Sequence, residues 1–106
     1  MSTEDKNNEI VHDAENTKYV LKVDGKEAGA AHYVLAAEGV RDFNHTVVDE
    51  AFQGQGLSKP LIAGALGASR EDGVKVIATC PAVRKFVRTT GEYKDILVKA
   101  SDVEGS

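Results

Sequence analysis

The sequence predicts an α/β (α+β) domain with a mixed, mostly antiparallel sheet and two main helices. Three observations carry that expectation. Alternating, β-branched stretches crowd the first half of the chain, and the turn signals between them are too short to hold a helix. Helical spacing begins only after the run Gln53-Gly54-Gln55-Gly56. A short, nearly continuous apolar stretch then separates two helix-like segments, as a buried parallel strand does. The chain has 106 residues, enough for one modest core.

The elements follow in order. Residues 1–16 hold Glu4, Asp5, Glu9, Asp13 and Glu15 against Lys6, so they carry the whole net charge of -4. With few large apolar groups and no sustained period, they are expected to form a disordered acidic tail ahead of a domain over 17–100. "TKYVLKV" (17–23) alternates and reads as a strand. Asp24-Gly25 signals a tight turn, and "AGAAHYVLA" (28–36) is the second arm of the hairpin. "AEG" turns again into a third strand, "VRDFNHTVV" (40–48). Leu61, Ile62, Ala65, Leu66 and Ser69 recur at helical spacing, so a helix is expected from about 58 to 71. Ser58 is placed to cap it, with Pro60 in its first turn and Gly73 at its end. "VKVIAT" (74–79) is the buried strand. "PAVRKFVRTT" (81–90) puts Val83, Phe86 and Val87 on one face of a second helix. Residues 92–100 read as a turn with a last short strand, and 101–106 as a frayed end.

Composition excludes several function classes. A pI of about 5.3 and a neutral folded part argue against general nucleic-acid binding, which needs a basic face. No apolar run approaches the roughly 18 residues of a membrane span. The polar, acidic N-terminus resembles neither a secretory signal nor an Arg-rich transit peptide. Cys80 is the only cysteine, so no internal disulfide forms. These features fit a cytoplasmic protein. His12, His32 and His45 lie in separate segments, and no metal-ligand spacing is present.

The glycine run is the chemical signal. Between a strand and a helix, glycines let the backbone turn tightly and approach a ligand. The first N–H groups of the helix have no internal partners and lie at the positive end of its dipole, which suits a pyrophosphate. No GK[ST] follows, so the loop is not a Walker site, and the six-residue dinucleotide fingerprint is absent too.

The stretch Val48-Asp49-Glu50-Ala51-Phe52-Gln53-Gly54-Gln55-Gly56-Leu57-Ser58 resembles the acetyl-CoA signature of the GNAT superfamily of N-acetyltransferases, V-x-x-x-x-[QR]-x-x-G-x-[GA]. Gln53 and Gly56 match, and Ser58 replaces the last small residue. "FNHTVV" ahead of the loop and "ATCPAVRKFVRTTGEY" after it resemble the short GNAT-like proteins of about a hundred residues; His45, Thr46, Cys80 and Tyr93 match. The resemblance covers roughly residues 17–98. It implies a minimal GNAT fold, with a split between the strand ending near Val48 and the strand 74–79. Acetyl-CoA is the implied ligand. Its pantetheine would lie in the split along Val47 and Val48, and its pyrophosphate on the amides of Gln53, Gly54, Gln55, Gly56, Leu57 and Ser58, with Lys59 beside it. The helical pair that many members place between the first two strands has no room at Asp24-Gly25, so the acceptor site is expected to be open or completed by a partner.

Acetyl transfer needs a base for the amine and an acid for the leaving thiolate. Glu50 lies in the loop and fits poorly. His45 has Phe43 and Val47 at strand spacing, so it is expected on an apolar side, either as a base or as a buried hydrogen-bonded side chain. Cys80 ends a strand before a helix and has three readings: a thiolate nucleophile, a site-lining thiol or a core filler. Tyr93 is the candidate general acid, against a packing role. Lys59 and Arg84 are candidate phosphate contacts, against plain solvation. The functional expectation is an acetyl-CoA-dependent N-acetyltransferase acting on an unknown amine. A non-catalytic CoA-binding module and a bare interaction domain are the alternatives.

Overall fold

The computed structural model describes residues 8–54 and 56–99. Gln55, residues 1–7 and residues 100–106 lie outside the described residues, and with them part of the expected tail, the end of the 17–100 domain and the expected frayed end.

Five strands form one sheet in the order β1-β2-β3-β4-β5. They are β1 (Asn8–Asp13), β2 (Lys18–Val23), β3 (Lys26–Ala37), β4 (Val40–Val48) and β5 (Lys75–Ala78). The first four run antiparallel, and β5 pairs parallel to β4. Two helices, α1 (Ser58–Glu71) and α2 (Pro81–Thr90), supply the second layer. The predicted mixed, mostly antiparallel sheet with two main helices is the observed fold.

The N-terminal expectation needs correction at residues 8–13. They form an edge strand in register with β2, Ile10 opposite Leu21 and His12 opposite Tyr19. Glu9 is exposed, while Ile10 packs against the core. Ile10 sits so close to α1 that a Cβ on Gly64 would stand 2.5 Å from its side chain. His12 stacks on Tyr19 with ring centroids 4.2 Å apart and hydrogen-bonds the Tyr33 hydroxyl at 2.7 Å. The first two strands are thus β1 and β2. The turn that leaves no room for a helical pair is Ala14–Thr17, closed by Thr17 N–H donating to the Ala14 carbonyl.

α1 lays Leu61, Ile62, Ala65, Leu66 and Ser69 on the sheet, all buried. Each large apolar side chain in that stripe contributes about 1.5–3 kcal/mol. Leu57, not Ser58, is the N-cap, and no side chain caps the start. The expected Ser58 cap is therefore not formed; Ser58 is already helical. At the far end Gly73 N–H donates to the Arg70 carbonyl and Val74 N–H to the Ser69 carbonyl. That is a Schellman closure one residue past the cap, Asp72. After α2, a 3₁₀ turn over Lys94–Ile96 brings Leu97 beside Val76, where Val98 N–H donates to the Val76 carbonyl.

Candidate functional site

β4 pairs with β5 over four residues only, from Val40–Lys75 to Phe43–Ala78. Cys80 N–H donates to the Phe43 carbonyl, and there the two strands part. Beyond this apex the last residues of β4 have no strand on that side among the described residues. The mouth of the split faces the turn into α1.

A β-bulge decides which side chains point into it. Tyr33 pairs with Phe43 but His32 pairs with His45, so Asn44 is an extra residue in β4. An extra residue inverts the alternation. His45, expected on the side of Phe43, instead joins Val47 on the opposite, open face. Thr46 takes the helix-side face. His45 is exposed, and its ring lies 5.8 Å from that of His32. The expectation of an apolar side for His45 is overturned because spacing alone cannot register a bulge.

Thr46 Oγ1 lies 3.4 Å from Cys80 Sγ. Thr46 matches the resemblance, but no role for it is legible in the sequence; parity across Asn44 was the missing signal. Cys80 is 5% exposed and joins the core cluster at the apex. Burial pushes its thiol up. The Thr46 hydroxyl and the N–H groups of Val83, Ala82 and Thr46 outweigh burial, so the net direction is down. The thiol makes no capping hydrogen bond to α2, yet the first-turn amides stand close enough to favour the thiolate.

The backbone of β4 alternates too. The Val47 carbonyl turns toward β3, 2.6 Å from where a Cβ on Gly29 would stand. Thr46 and Val48 therefore turn their peptide groups to the split. Val48 and Thr46 thus offer their peptide groups on the side of the split, while Val47 turns its carbonyl to β3. Gln53 is also committed: its Nε2 donates to the Val48 carbonyl at 3.1 Å and ties the loop to the strand end. Asp49 caps the 3₁₀ turn Glu50–Phe52 by accepting from Ala51 N–H at 2.9 Å. Glu50 stays exposed in that turn.

Gly54 and Gly56 have φ of +85° and +69°, a region that favours glycine, and a Cβ on either would meet nothing within 4 Å. Both glycines thus have left-handed backbones with open space over them. Leu57 is buried as an anchor, and Ser58 opens α1. Between the first turns of α1 and the length of α2 runs a groove of about 430 Å³, lined by Ser58, Lys59, Ile62, Lys85, Phe86 and Thr89 among others. Lys85 in this groove was missed by sequence reading, which weighed Arg84 instead. Arg84 donates to the carbonyls of Ala78 and Thr79, both at 3.1 Å, and fastens α2 to the end of β5.

Tyr93 is not brought to this group. Its ring lies under the Arg70 guanidinium at 4.6 Å and stacks with Phe86 at 6.3 Å. Its hydroxyl is 3.4 Å from where a Cβ on Gly67 would stand. Gly67 is nine residues along α1 from Ser58, roughly 13 Å at the helical rise. Tyr93 has an αL backbone, φ +67°, and its ring packs on α1 and Phe86.

Residues 18–96 match the sequence profile of the GCN5-related N-acetyl-transferase family. The chain is similar to Protein NATD1 of Gallus gallus, 26% identical over 81 residues, 76% of this chain and 74% of the relative. It is similar to Protein NATD1 of Danio rerio at 28% over 80 residues, 74% of this chain and 73% of the relative. An NMR structure of a GCN5-like protein from Staphylococcus aureus superposes with a TM-score of 0.64 at 22% identity, covering 86% of this chain and 88% of that one, and shares the fold.

Proposed function

The chain belongs to the GCN5-related N-acetyltransferase family, and we propose that it binds acetyl-CoA and transfers the acetyl group to an amine. The observation that carries this reading is the split. β4 leaves β5 after Phe43 and presents the peptide edge of Thr46 and Val48 beside the open turn into α1. Extended edges of this kind pair with amide-bearing chains, and helix starts hold phosphates.

The residues divide the work by position. The N–H groups of Gly54, Gly56, Leu57 and Ser58 hold the pyrophosphate, with Lys59 and Lys85 as countercharges along the groove; Gln55, also expected there, lies outside the described residues. Thr46 by its peptide groups and Val48 by its N–H hold the pantetheine, since Gln53 already donates to the Val48 carbonyl. The thioester is delivered to the apex beside Cys80. His45 stands on the opposite face of the sheet, so the acceptor amine enters from the open side and gives its proton to that imidazole as nitrogen attacks the acetyl carbon. The carbon–sulfur bond breaks, and the CoA thiolate takes a proton from Cys80. A thiol with lowered pKa is suited to that role. With Tyr93 packed on α1, Cys80 is the proton donor that the apex offers.

The test is a titration with acetyl-CoA followed by thiol release across an amine panel. Saturable binding with amine-dependent release supports the full reading. Binding without release supports the CoA-binding module instead. Absence of binding overturns both. Intact mass after incubation with acetyl-CoA alone is expected to show no adduct. A stable acetyl adduct abolished by Cys80→Ala would replace the proton-donor role with a nucleophilic one.

A further inference from the structure

We propose that His32 and His45 form a two-histidine binding site for a late divalent transition-metal ion on the open face of the sheet. The two residues are thirteen positions apart in sequence, too far for a local ligand spacing, and the β3–β4 hairpin sets them directly opposite each other. The bulge at Asn44 makes this possible. Without it His45 would lie on the helix-side face and His32 would have Asn44 as its neighbour.

The geometry suits chelation. The ring centroids are 5.8 Å apart with planes inclined by 34°. Rotation about the side-chain bonds can bring one nitrogen of each ring to about 2.0–2.1 Å from a shared ion. His45 is exposed and His32 half-buried, so solvent completes the coordination sphere. Neither ring is engaged in a hydrogen bond among the described residues, so the lone pairs are available. Lys18 is the cation in register with the pair, and its own opposite neighbour is Asp13. No group of three or more His, Cys, Asp or Glu converges among the described residues. The site is therefore a bidentate imidazole one, which selects copper, nickel and zinc over magnesium and calcium. On the acetyltransfer reading, on which this consequence alone rests, the ion takes the His45 lone pair and blocks amine deprotonation.

Calorimetric titration of the full chain with CuCl₂, NiCl₂ and ZnCl₂, without acetyl-CoA, tests the site. One ion per chain is expected, copper tightest, with no saturable heat from MgCl₂ or CaCl₂. His32→Gln and His45→Gln should each weaken zinc at least tenfold, and Cys80→Ser should leave it unchanged. Circular dichroism checks that each variant is folded. In NMR spectra, substoichiometric Cu²⁺ should broaden the ring signals of His32 and His45 before those of His12. No saturable zinc binding, or binding that survives both histidine substitutions, overturns the proposal. Acetyl-CoA titrated without metal reports on the acetyltransfer reading separately, so the two failures are distinguishable.

Discussion

Thr46 and Cys80 are the residues whose meaning changes most between sequence and structure. In sequence Cys80 has three readings, and Thr46 is only part of a matched motif. In the fold the hydroxyl and thiol meet at 3.4 Å, and backbone amides of β4 and α2 surround the sulfur. Removing the hydroxyl should let burial dominate. Thr46→Val is therefore expected to raise the Cys80 pKa and slow its alkylation at neutral pH, with bound CoA protecting the thiol in the native protein. The pH dependence of the alkylation rate is the measurement, and an unchanged profile would separate Thr46 from the thiol's acidity. Tyr93→Phe should leave turnover unchanged, since that hydroxyl faces Gly67. A large loss of kcat would return Tyr93 to the chemistry.

Two elements make separate predictions. The turn into α1 depends on Gly56 at φ +69° with open space above it. Gly56→Val strains the turn and fills space assigned to the pyrophosphate. Acetyl-CoA affinity should fall at least tenfold, about 1.4 kcal/mol, while the core stays intact. Calorimetry beside a melting curve separates loss of binding from loss of fold. The second element is β1, held by His12 against Tyr19 and Tyr33. Burial and then Arg41 lower the His12 pKa, while Asp72 and Asp13 oppose that in part. The unfolded chain then takes up a proton more readily than the folded one. Stability from neutral His12 is fully present above about pH 6.5 and is lost as pH falls from there through the lowered folded value. His12→Gln should flatten the dependence of melting temperature on pH in that window. His32, lowered in the same direction, should leave part of the slope.

At the scale of the molecule, the structure reverses what the acidic N-terminus suggests. β1 covers one edge of the sheet and packs Ile10 on α1. Removing residues 1–13 should lower the melting temperature by more than about 5 °C, a loss near 1 kcal/mol or above for a domain of this size. A melting curve unchanged by the truncation would show that β1 adds nothing to the fold's stability. Among the described residues, one layer of helices covers the sheet, and His32, His45, Val34 and Val47 lie on its other face. No helix among the described residues is long and apolar enough to cross a membrane. On the proposed acetyltransfer, an acceptor reaching the apex from that face would meet His45 without passing a helical wall of the described residues. This shape agrees with the short turn Ala14–Thr17, which leaves no chain for one.

The sequence by itself determined what local chemistry can specify. Asp24-Gly25 set a hairpin, Pro81 opened α2, and the apolar spacing of Leu61 to Ser69 fixed the buried face of α1. The glycine run marked the turn with positive φ, because few other residues tolerate it. β1 was hidden because an edge strand with one solvated face and acidic flanks reads like a tail; its partners, Tyr19, Tyr33 and Gly64, lie elsewhere in the chain. The candidate site was half legible. Its loop was read from Gln53 to Ser58, but the sides taken by His45, Thr46 and Val47 were not. A one-residue bulge at Asn44 costs the sequence nothing visible and exchanges every side chain after it between the two faces. Only pairing with β3 fixes that parity, and only the parting of β5 from β4 at Phe43 turns a strand end into a place where a ligand fits.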